Sequence, residues 1–273
     1  MNDERRILLR AIAGLGAGAI AAPLAAGTGV AADRPAPAPG PREARLLWAR
    51  LVGDLTGKPV FFFTQGSVWG FKPQADHLTT AEFAKRIYGY SGLAARRIVP
   101  TGDGWTLHAA YWAFYRDPVT DAITDRIPNP YTGRIDTAKP LSGTPAPKPL
   151  DLRPVPGTAT RVRRLGTSAI VETSTISRFR SPDISWHKLE ANLEDYVCRA
   201  AELDAGAPHL PSHYSQSLVA EWQTWTGMHG TPGHILFKGN GEPLGGLDSV
   251  PRDQIAAIER FFPGTLGTVR AWR

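Results

Sequence analysis

Four oxygen-bearing side chains recur at every fourth position in one stretch of the sequence: Asp117, Asp121, Asp125 and Asn129. On an α-helix this spacing would place them on one face, where carboxylates could bind a metal ion or transfer protons. Prolines at three positions of the same stretch interrupt the backbone hydrogen bonds of such a helix, and an interior proline costs about 3 kcal/mol. The spacing therefore does not predict a helical carboxylate site.

A second pattern in this stretch, an internal repeat, predicts two turns. Residues 117–123 read DPVTDAI and residues 129–135 read NPYTGRI. In each copy Asx at the first position can cap the backbone, Pro fixes φ at the second, and Asp or Gly at the fifth can adopt a left-handed conformation. We expect two hairpin turns around one short strand at 122–127, with the carboxylates acting as turn formers. A calcium site is disfavoured because a calcium loop needs clustered ligands.

Two runs of the sequence resemble the DUF1838 family, a bacterial and fungal group. The first run comprises YRDPVT at 115–120, then Ile123 and Asp125, then NPYTG at 129–133, and the second comprises Trp222, Trp225, Met228, Pro232, Gly233, Lys238 and Gly239. The resemblance covers residues 42–273, although Ile127 stands where the family often carries Trp. It implies family membership and a β-rich fold, and it supplies no catalytic residues.

Residues 1–32 have the pattern of an export signal. The paired arginines Arg5 and Arg6 precede an uncharged, Ala/Gly-rich run at 11–30, which ends in small residues before Asp33. This order resembles a bacterial twin-arginine signal peptide. It predicts export through the matching machinery, a periplasmic or secreted location, and no stable membrane span after cleavage. An uncleaved N-terminal anchor remains the alternative, although Gly and Ala make a poor lipid-facing span.

Composition excludes several classes of function. The net charge of +6 is spread along the chain without a dense basic stripe, so nucleic acid is not an expected partner. Cys198 is the only cysteine, which excludes an intramolecular disulfide and Cys-x-x-Cys chemistry; we expect a buried, inert thiol. No glycine-rich stretch joins a strand to a helix in the way nucleotide binding requires, and no cofactor is predicted.

The remaining sequence predicts a Pro/Ala-rich linker at 33–41 and a single β-rich domain at 42–273. The predicted fold is mainly β, of α+β type: an antiparallel meander that closes into a barrel-like sheet, with two or three helices packed outside. The predicted strands are 46–52, 59–71, 95–99, 105–115, 167–179, 215–226 and 233–238, with turns at 101–104 and 238–242. The predicted helices are 79–88, 187–203 and 251–262, and the proline-rich segment 141–156 is expected to be a surface crossover.

His108 is the first catalytic candidate. It lies inside the predicted strand 105–115, whose two faces are both apolar, so we expect both faces to be covered. His108 is then either a core histidine bonded to a backbone carbonyl or a polar group at a pocket.

The second candidate, Glu221, lies on the predicted strand that ends at residue 226. Alternation places Val219, Glu221, Gln223 and Trp225 on one face of that strand, which suits a solvated surface or a ligand cavity with polar handles. The predicted ligand-binding residues are Tyr111, Trp112, Gln223 and Trp225. No metal site is predicted; the weak candidates for one are His209, His213, His229 and His234.

These patterns leave three hypotheses about function. The first is an exported protein that binds a small apolar or aromatic molecule in a β-barrel-like cavity. The second is a cofactor-independent isomerase, cyclase or lyase that uses His108 or Glu221 to move a proton. The third is a cell-envelope structural or interaction protein without a pocket.

Overall fold

The chain folds mainly into β-structure with a smaller helical part, as predicted. The computed structural model describes residues 38–73, 84–180 and 187–272, so the predicted signal at 1–32 lies outside the described residues. The helices are α1 Pro41–Val52, α2 Ala200–Asp204, α3 Arg252–Phe261 and α4 Leu266–Arg270, with 3₁₀ turns at Thr224–Thr226 and Leu247–Ser249. The strands are β1 Pro59–Phe71, β2 Ala84–Thr101, β3 Gly104–Arg116, β4 Ile123–Thr124, β5 Arg126–Pro128, β6 Ile135–Thr137, β7 Leu141–Gly143, β8 Lys148–Pro149, β9 Thr158–Leu165, β10 Ser168–Arg180, β11 His187–Arg199, β12 His213–Ala220 and β13 His234–Leu244. Within these described residues no helix is long and apolar enough to cross a membrane.

One large antiparallel sheet dominates the fold. Its strand order is β4-β3-β2-β1-β13-β12-β11-β10-β9, and β7 and β8 add to β3 beside β4. Within the described chain the two ends of this order do not pair with each other, so the predicted closure into a barrel is wrong.

The sheet protects its edges by other means than closure. The β3 edge is occupied by strands of two or three residues, two of which come from the proline-rich segment 141–156. The opposite edge strand, β9, carries three arginines in eight residues, and charged side chains on an edge oppose further strand pairing. Covered and charged edges make closure unnecessary.

The two faces of the sheet are covered differently. The face that we call inner carries residues such as Tyr115 of β3, Phe237 of β13 and Val171 of β10, which belong to one hydrophobic cluster together with α1. Because strands far apart in the sheet share this cluster, the sheet curves around its inner face. The opposite, outer face is covered at β1 to β3 by α3 and α4, where Trp112 and Phe114 are buried. Both faces of β3 are thus covered, as predicted.

Helix α1 replaces the predicted strand at 46–52. Pro41 occupies the first turn, where its missing N–H costs no hydrogen bond, and the Gly40 N–H donates to Glu43 Oε2 at 3.3 Å. Leu47 and Leu51, four residues apart, are buried on one side of the helix.

Strand β11 replaces most of the predicted helix at 187–203. The apolar residues that matched a helical spacing lie on both faces of the strand: Tyr196 and Cys198 are buried, while Leu193 and Val197 are 50% and 41% exposed. Only residues 200–204 are helical, as α2. Cys198 is nevertheless buried, as expected, and burial raises the pKa of its thiol.

Three other predicted elements are also corrected. Residues 84–88 of the predicted helix 79–88 belong to β2, and 79–83 lie outside the described residues. The predicted turn 238–242 lies within β13. Strand β12 ends at Ala220, so the predicted strand to residue 226 is too long.

The repeated turns are confirmed in detail. Asp117 Oδ1 accepts the backbone N–H groups two and three residues later at 2.9 and 2.8 Å, and Asn129 Oδ1 accepts the equivalent pair at 2.9 and 3.2 Å. The fifth residues, Asp121 and Gly133, have φ of 59° and 71°, the left-handed region. Between the turns lie two short strands, β4 and β5, where one was expected.

Candidate functional site

A register row across five strands of the inner face defines the centre of the site. Tyr90 of β2 pairs with Gly66 of β1, Gly66 with Gly239 of β13, Gly239 with Gln216 of β12, and Gln216 with Glu194 of β11. Alternate residues of a strand share a face, so the polar side chains of this row point to the same side of the sheet. Two glycines separate Tyr90 from Gln216 and Glu194.

The glycines let two tyrosine rings lie flat against the sheet. A Cβ atom at Gly239 would overlap the Tyr90 hydroxyl, and a Cβ atom at Gly241 would overlap the Tyr214 ring. Glycine in a strand often marks such a close approach. The Tyr90 hydroxyl therefore lies over Gly239, one strand away from Gln216.

A chain of hydrogen bonds leads from this row to a buried carboxyl group. Gln216 Nε2 donates to Asn192 Oδ1 at 2.8 Å, and Asn192 Nδ2 donates to Glu194 Oε1 at 2.7 Å. Tyr196 Oη donates to Glu194 Oε2 at 3.4 Å. We refer to the following residues as the inner polar cluster: Tyr90, Arg96, Asn192, Glu194, Tyr196, Tyr214 and Gln216.

The pKa of the Glu194 carboxyl group is shifted towards the neutral range. Burial raises its pKa to about 8, against the smaller opposing effects of the Asn192 and Tyr196 hydrogen bonds and the Arg96 charge. Burial in turn lowers the pKa of Arg96, whose Nη1 donates to the Val52 carbonyl at the end of α1 at 3.5 Å. A carboxyl group that is protonated near neutral pH can donate a hydrogen bond to a ligand and can release its proton near pH 8.

Four polar atoms on or beside the inner face have no hydrogen-bond partner among the described residues. They are Tyr90 Oη, Tyr214 Oη, Gln216 Oε1 and Trp225 Nε1. The first three side chains belong to residues that are 1%, 4% and 0% exposed. Buried polar atoms in folded proteins almost always have a partner, because leaving one unpaired costs about 1–3 kcal/mol. A group of such atoms on one face could be satisfied by the polar groups of a bound molecule or by ordered water.

Two of the four predicted ligand-binding residues meet at the end of the inner face. Tyr88 Oη donates to Gln223 Oε1 at 2.5 Å. The Trp225 ring lies 5.5 Å from the Tyr88 ring and 5.4 Å from the Tyr115 ring, centroid to centroid. Gln223 and Trp225 come from the segment after β12, so they do not share a strand face with Val219 as predicted.

The other two predicted ligand-binding residues lie on opposite faces of β3. Tyr111 is partly buried and packs against the hydrophobic cluster of the inner face. Trp112 is buried on the outer face, where its Nε1 donates to Thr265 Oγ1 at 2.9 Å. The four predicted residues therefore do not form one site.

The predicted catalytic residues lie away from the inner polar cluster. His108 is on the outer face, half-buried, with its ring 6.1 Å from the ring of Trp272 near the end of the chain. Glu221 follows the last residue of β12 and is half-buried, outside the register row that contains Glu194.

The histidines named as weak metal candidates have different surroundings. His209 Nδ1 donates to the backbone carbonyls of Gly53 at 2.8 Å and Arg50 at 3.2 Å, so the ring caps the end of α1. His213 is 81% exposed at its side chain, and His229 is exposed in a turn. The ring of His234 stacks on a phenylalanine ring at 5.2 Å. In the part of the chain that the structure describes, no three His, Cys, Asp or Glu side chains are grouped to hold a metal ion.

Sequence reasoning missed Glu194 and its neighbours because it assigned them to a helix. A period of two in this segment places Glu190, Asn192, Glu194 and Tyr196 on one face, and that alternation was the available signal. The role of Tyr90 and Gly239 had no local signal, because it depends on which strands pair.

Comparison of the chain with protein-family models, curated proteins and solved structures found no match. The resemblance to DUF1838 and the export signal stay predictions.

Proposed function

We propose that the protein binds a small, largely apolar or aromatic molecule at the inner polar cluster. The observation that supports this most directly is the set of unpartnered polar atoms of Tyr90, Tyr214 and Gln216 around the buried carboxyl group of Glu194. Aromatic rings surround these atoms: Tyr214 stacks on Tyr196 at 5.4 Å, and Tyr90 lies 5.8 Å from Phe237. A mostly apolar lining with a few polar groups is typical of small-molecule sites.

The polar groups specify what the ligand carries. Two phenolic hydroxyls and a protonated Glu194 can donate hydrogen bonds, while Gln216 Oε1 accepts one. Flat tyrosine rings against a glycine-lined sheet suit a thin, planar body. The ligand that fits is an aromatic or unsaturated molecule with one or two oxygen substituents.

A second candidate function is proton transfer on that ligand. The raised pKa of Glu194 favours it, because a group that titrates near the working pH is an efficient general acid or base. In this alternative Glu194 takes the role that the sequence suggested for His108 or Glu221, and the reaction is a cofactor-independent isomerisation, cyclisation or elimination.

We also propose that the chain is a DUF1838 family member that is exported through its twin-arginine signal and acts in the periplasm or outside the cell. Replacing Arg5 and Arg6 with lysine is expected to leave the protein in the cytoplasmic fraction, since paired arginines define this signal. Recovery of the double variant in the periplasm or medium would contradict the proposal.

The binding proposal is tested by native mass spectrometry of the full chain purified from its own host. We expect a species heavier than the apo chain by the mass of a small molecule. Tyr90→Phe and Tyr214→Phe each remove one unpartnered hydroxyl and keep the ring. Both variants are expected to lose the heavier species while their apo forms stay as stable as the parent or become more stable, because a buried unpaired hydroxyl is removed.

Tyr131→Phe is the matched control. Its hydroxyl already donates to the Gly70 carbonyl at 2.5 Å, so this variant should lose about 1 kcal/mol of stability and keep the heavier species. An apo mass alone from the native host, or retention of the ligand by both Tyr90→Phe and Tyr214→Phe, would overturn the proposal.

The catalytic candidate has a separate test. The molecule identified by mass spectrometry is incubated with the protein in D₂O, and carbon-bound deuterium is measured in the recovered molecule. Proton transfer predicts incorporation with the parent chain and none with Glu194→Gln. If the molecule binds without incorporating deuterium, the binding function stands and proton transfer is ruled out.

A further inference from the structure

A groove on the outer face lies on the opposite side of the sheet from the inner polar cluster. Its volume is about 690 Å³, within the range of small-molecule sites. Strands β1, β13, β12, β11, β10 and β9 all contribute to it. Tyr214 and Gly241 also line it, although their side-chain positions lie on the inner side of the sheet.

Two register rows form the groove. One row is polar and runs Asp195, Ser215, Asn240, Gln65 across four neighbouring strands. The next row carries the neighbouring apolar side chains of Ile170 and Val197, and then His213, Glu242 and Phe63 on the following three strands. The groove therefore has a polar row beside an apolar patch at its β9–β11 end, formed by Ile170, Val197 and Leu165, as an amphipathic ligand requires.

The apolar side is partly open to solvent. Val197 is 41% exposed, and Leu165 at the end of the groove is 64% exposed. A ligand that covers apolar side chains on a sheet face gains binding free energy of about 25 cal/mol per Å² of apolar surface buried.

One carboxylate of the groove, that of Asp195, is open to direct contact with a cation. The positive charge of Arg163 is matched by Glu172, at 2.5 Å between Nη2 and Oε1. Asp195 makes no direct hydrogen bond or ion pair with a described residue. Burial, and then the Glu172 charge, raise its pKa against the smaller opposing charges of Arg163 and Lys238. The nearest charged partner of Glu242 is His213, at 4.0 Å. Asp195 thus lies near two cationic side chains but is in direct contact with neither of them.

An independent observation points to a ligand at the same place. Ser215, which lies between Asp195 and Asn240 in the polar row, is 2% exposed. Its Oγ has no hydrogen-bond partner among the described residues, although it lines the groove. A hydroxyl in this position can accept from an ammonium group that Asp195 neutralises.

We infer that the outer groove binds an amphipathic amine, with its ammonium group at Asp195 and Ser215 and its aromatic or aliphatic body along Ile170 and Val197. This site lies on the opposite side of the sheet from the inner polar cluster and adjoins it only at Tyr214, and it needs no ligand there.

Two small probes with the same ring and opposite charge test the inference: tryptamine and indole-3-propionate. Each is titrated into the full chain and followed by amide chemical shifts and by calorimetry. We expect saturable binding of tryptamine, with shifts at Asp195, Ser215 and Asn240, and binding of indole-3-propionate that is at least about fivefold weaker. Such a ratio corresponds to one partly screened ion pair.

Asp195→Asn keeps the shape of the side chain and removes its charge, and it is expected to weaken tryptamine binding roughly fivefold. Asp248→Asn, on the 3₁₀ turn Leu247–Ser249 away from the groove, is the matched control and should leave the affinity unchanged. Equal affinities for the two probes, or an unchanged affinity in Asp195→Asn, would refute the inference. Tyr90→Phe, which tests the inner site, should leave tryptamine binding unchanged, so the two proposals fail independently.

Discussion

Asn129 and Thr226, which are 97 residues apart, are joined by a buried hydrogen bond from Asn129 Nδ2 to the Thr226 carbonyl at 2.9 Å. The same nitrogen donates to Asp136 Oδ2 at 2.8 Å, while Asn129 Oδ1 caps its own turn. Asp117, at the equivalent position of the first turn, caps its own turn and makes no hydrogen bond to a distant segment of the described chain. The second turn therefore holds in place the segment that supplies Gln223 and Trp225 to the inner face.

Reciprocal substitutions separate the two roles. Asp117→Asn keeps the capping oxygen and should change the free energy of unfolding by less than about 0.5 kcal/mol. Asn129→Asp also keeps it, but removes both donated hydrogen bonds and places a second carboxylate beside Asp136, so we expect a loss of roughly 3 kcal/mol. Urea unfolding of both variants measures the difference. Similar losses in the two would show that Asn129 acts only as a turn former.

His209 should stabilise the fold through α1. Its Nδ1 donates to the carbonyl of Arg50 in the last turn of that helix and to the carbonyl of Gly53 just after it, groups that lack partners within the helix. His209→Ala is expected to cost about 1–2 kcal/mol in thermal or urea unfolding. His213→Ala, at an exposed ring only four residues away, should be neutral. A neutral His209→Ala would mean that the cap contributes nothing.

Local sequence patterns correctly predicted the turns and strands that depend only on residues close together in the chain. The Asx-Pro-x-Thr turns place cap, proline and left-handed residue within five positions, so they can be recognised without knowledge of the rest of the chain. The strand over β3 was predicted from alternation and from the turn at 101–104, and both are confirmed.

The candidate site was not predictable in the same way, because it depends on strand pairing. The glycines at 239 and 241 look like turn residues in the sequence, yet they lie within β13 and make room for tyrosines from β2 and β12. The sheet remains open for a similarly non-local reason, since short strands after β3 occupy the edge that closure would need. Glu194 could have been placed on a face by alternation, but apolar residues on both faces of β11 also matched a helix.

The close approach of Tyr90 to Gly239 predicts that replacing this glycine destabilises the protein. Gly239→Ala would push a methyl group into the Tyr90 hydroxyl and to 3.0 Å from the Gln65 carbonyl, in a position where the tyrosine is 1% exposed. We expect a loss of about 2–3 kcal/mol, as is typical for overpacked interiors.

Two further variants make this test specific. Gly245→Ala, whose Cβ would have no atom nearer than 3.8 Å, should be neutral. Adding Tyr90→Phe to Gly239→Ala removes the first clashing atom and should restore part of the lost stability, which appears as a non-additive double-mutant cycle. Strict additivity would contradict the packing of Tyr90 over Gly239.

The carboxyl group of Glu194 should make the stability of the protein depend on pH. Burial raises its pKa from the ordinary 4.5 to about 8 in the folded chain. Between these values the folded chain keeps a proton that the unfolded chain has released, so the free energy of unfolding falls as pH rises from 4.5 through 8. Below pH 4.5 the raised pKa does not affect the free energy of unfolding. Above pH 8 it lowers the free energy of unfolding by up to about 5 kcal/mol.

Glu194→Gln removes this dependence and keeps the size of the side chain. Urea unfolding of the parent chain and the variant at intervals from pH 4.5 to 8.5 gives the difference in stability at each pH. We expect the free energy of unfolding of the variant, relative to that of the parent, to increase steadily as pH rises. At pH 8.5 the variant should be the more stable protein. Glu259→Gln, at an exposed position of α3, should follow the parent at every pH. A difference between Glu194→Gln and the parent that stays constant with pH would mean that Glu194 ionises normally, and it would remove the basis for its role as a proton donor.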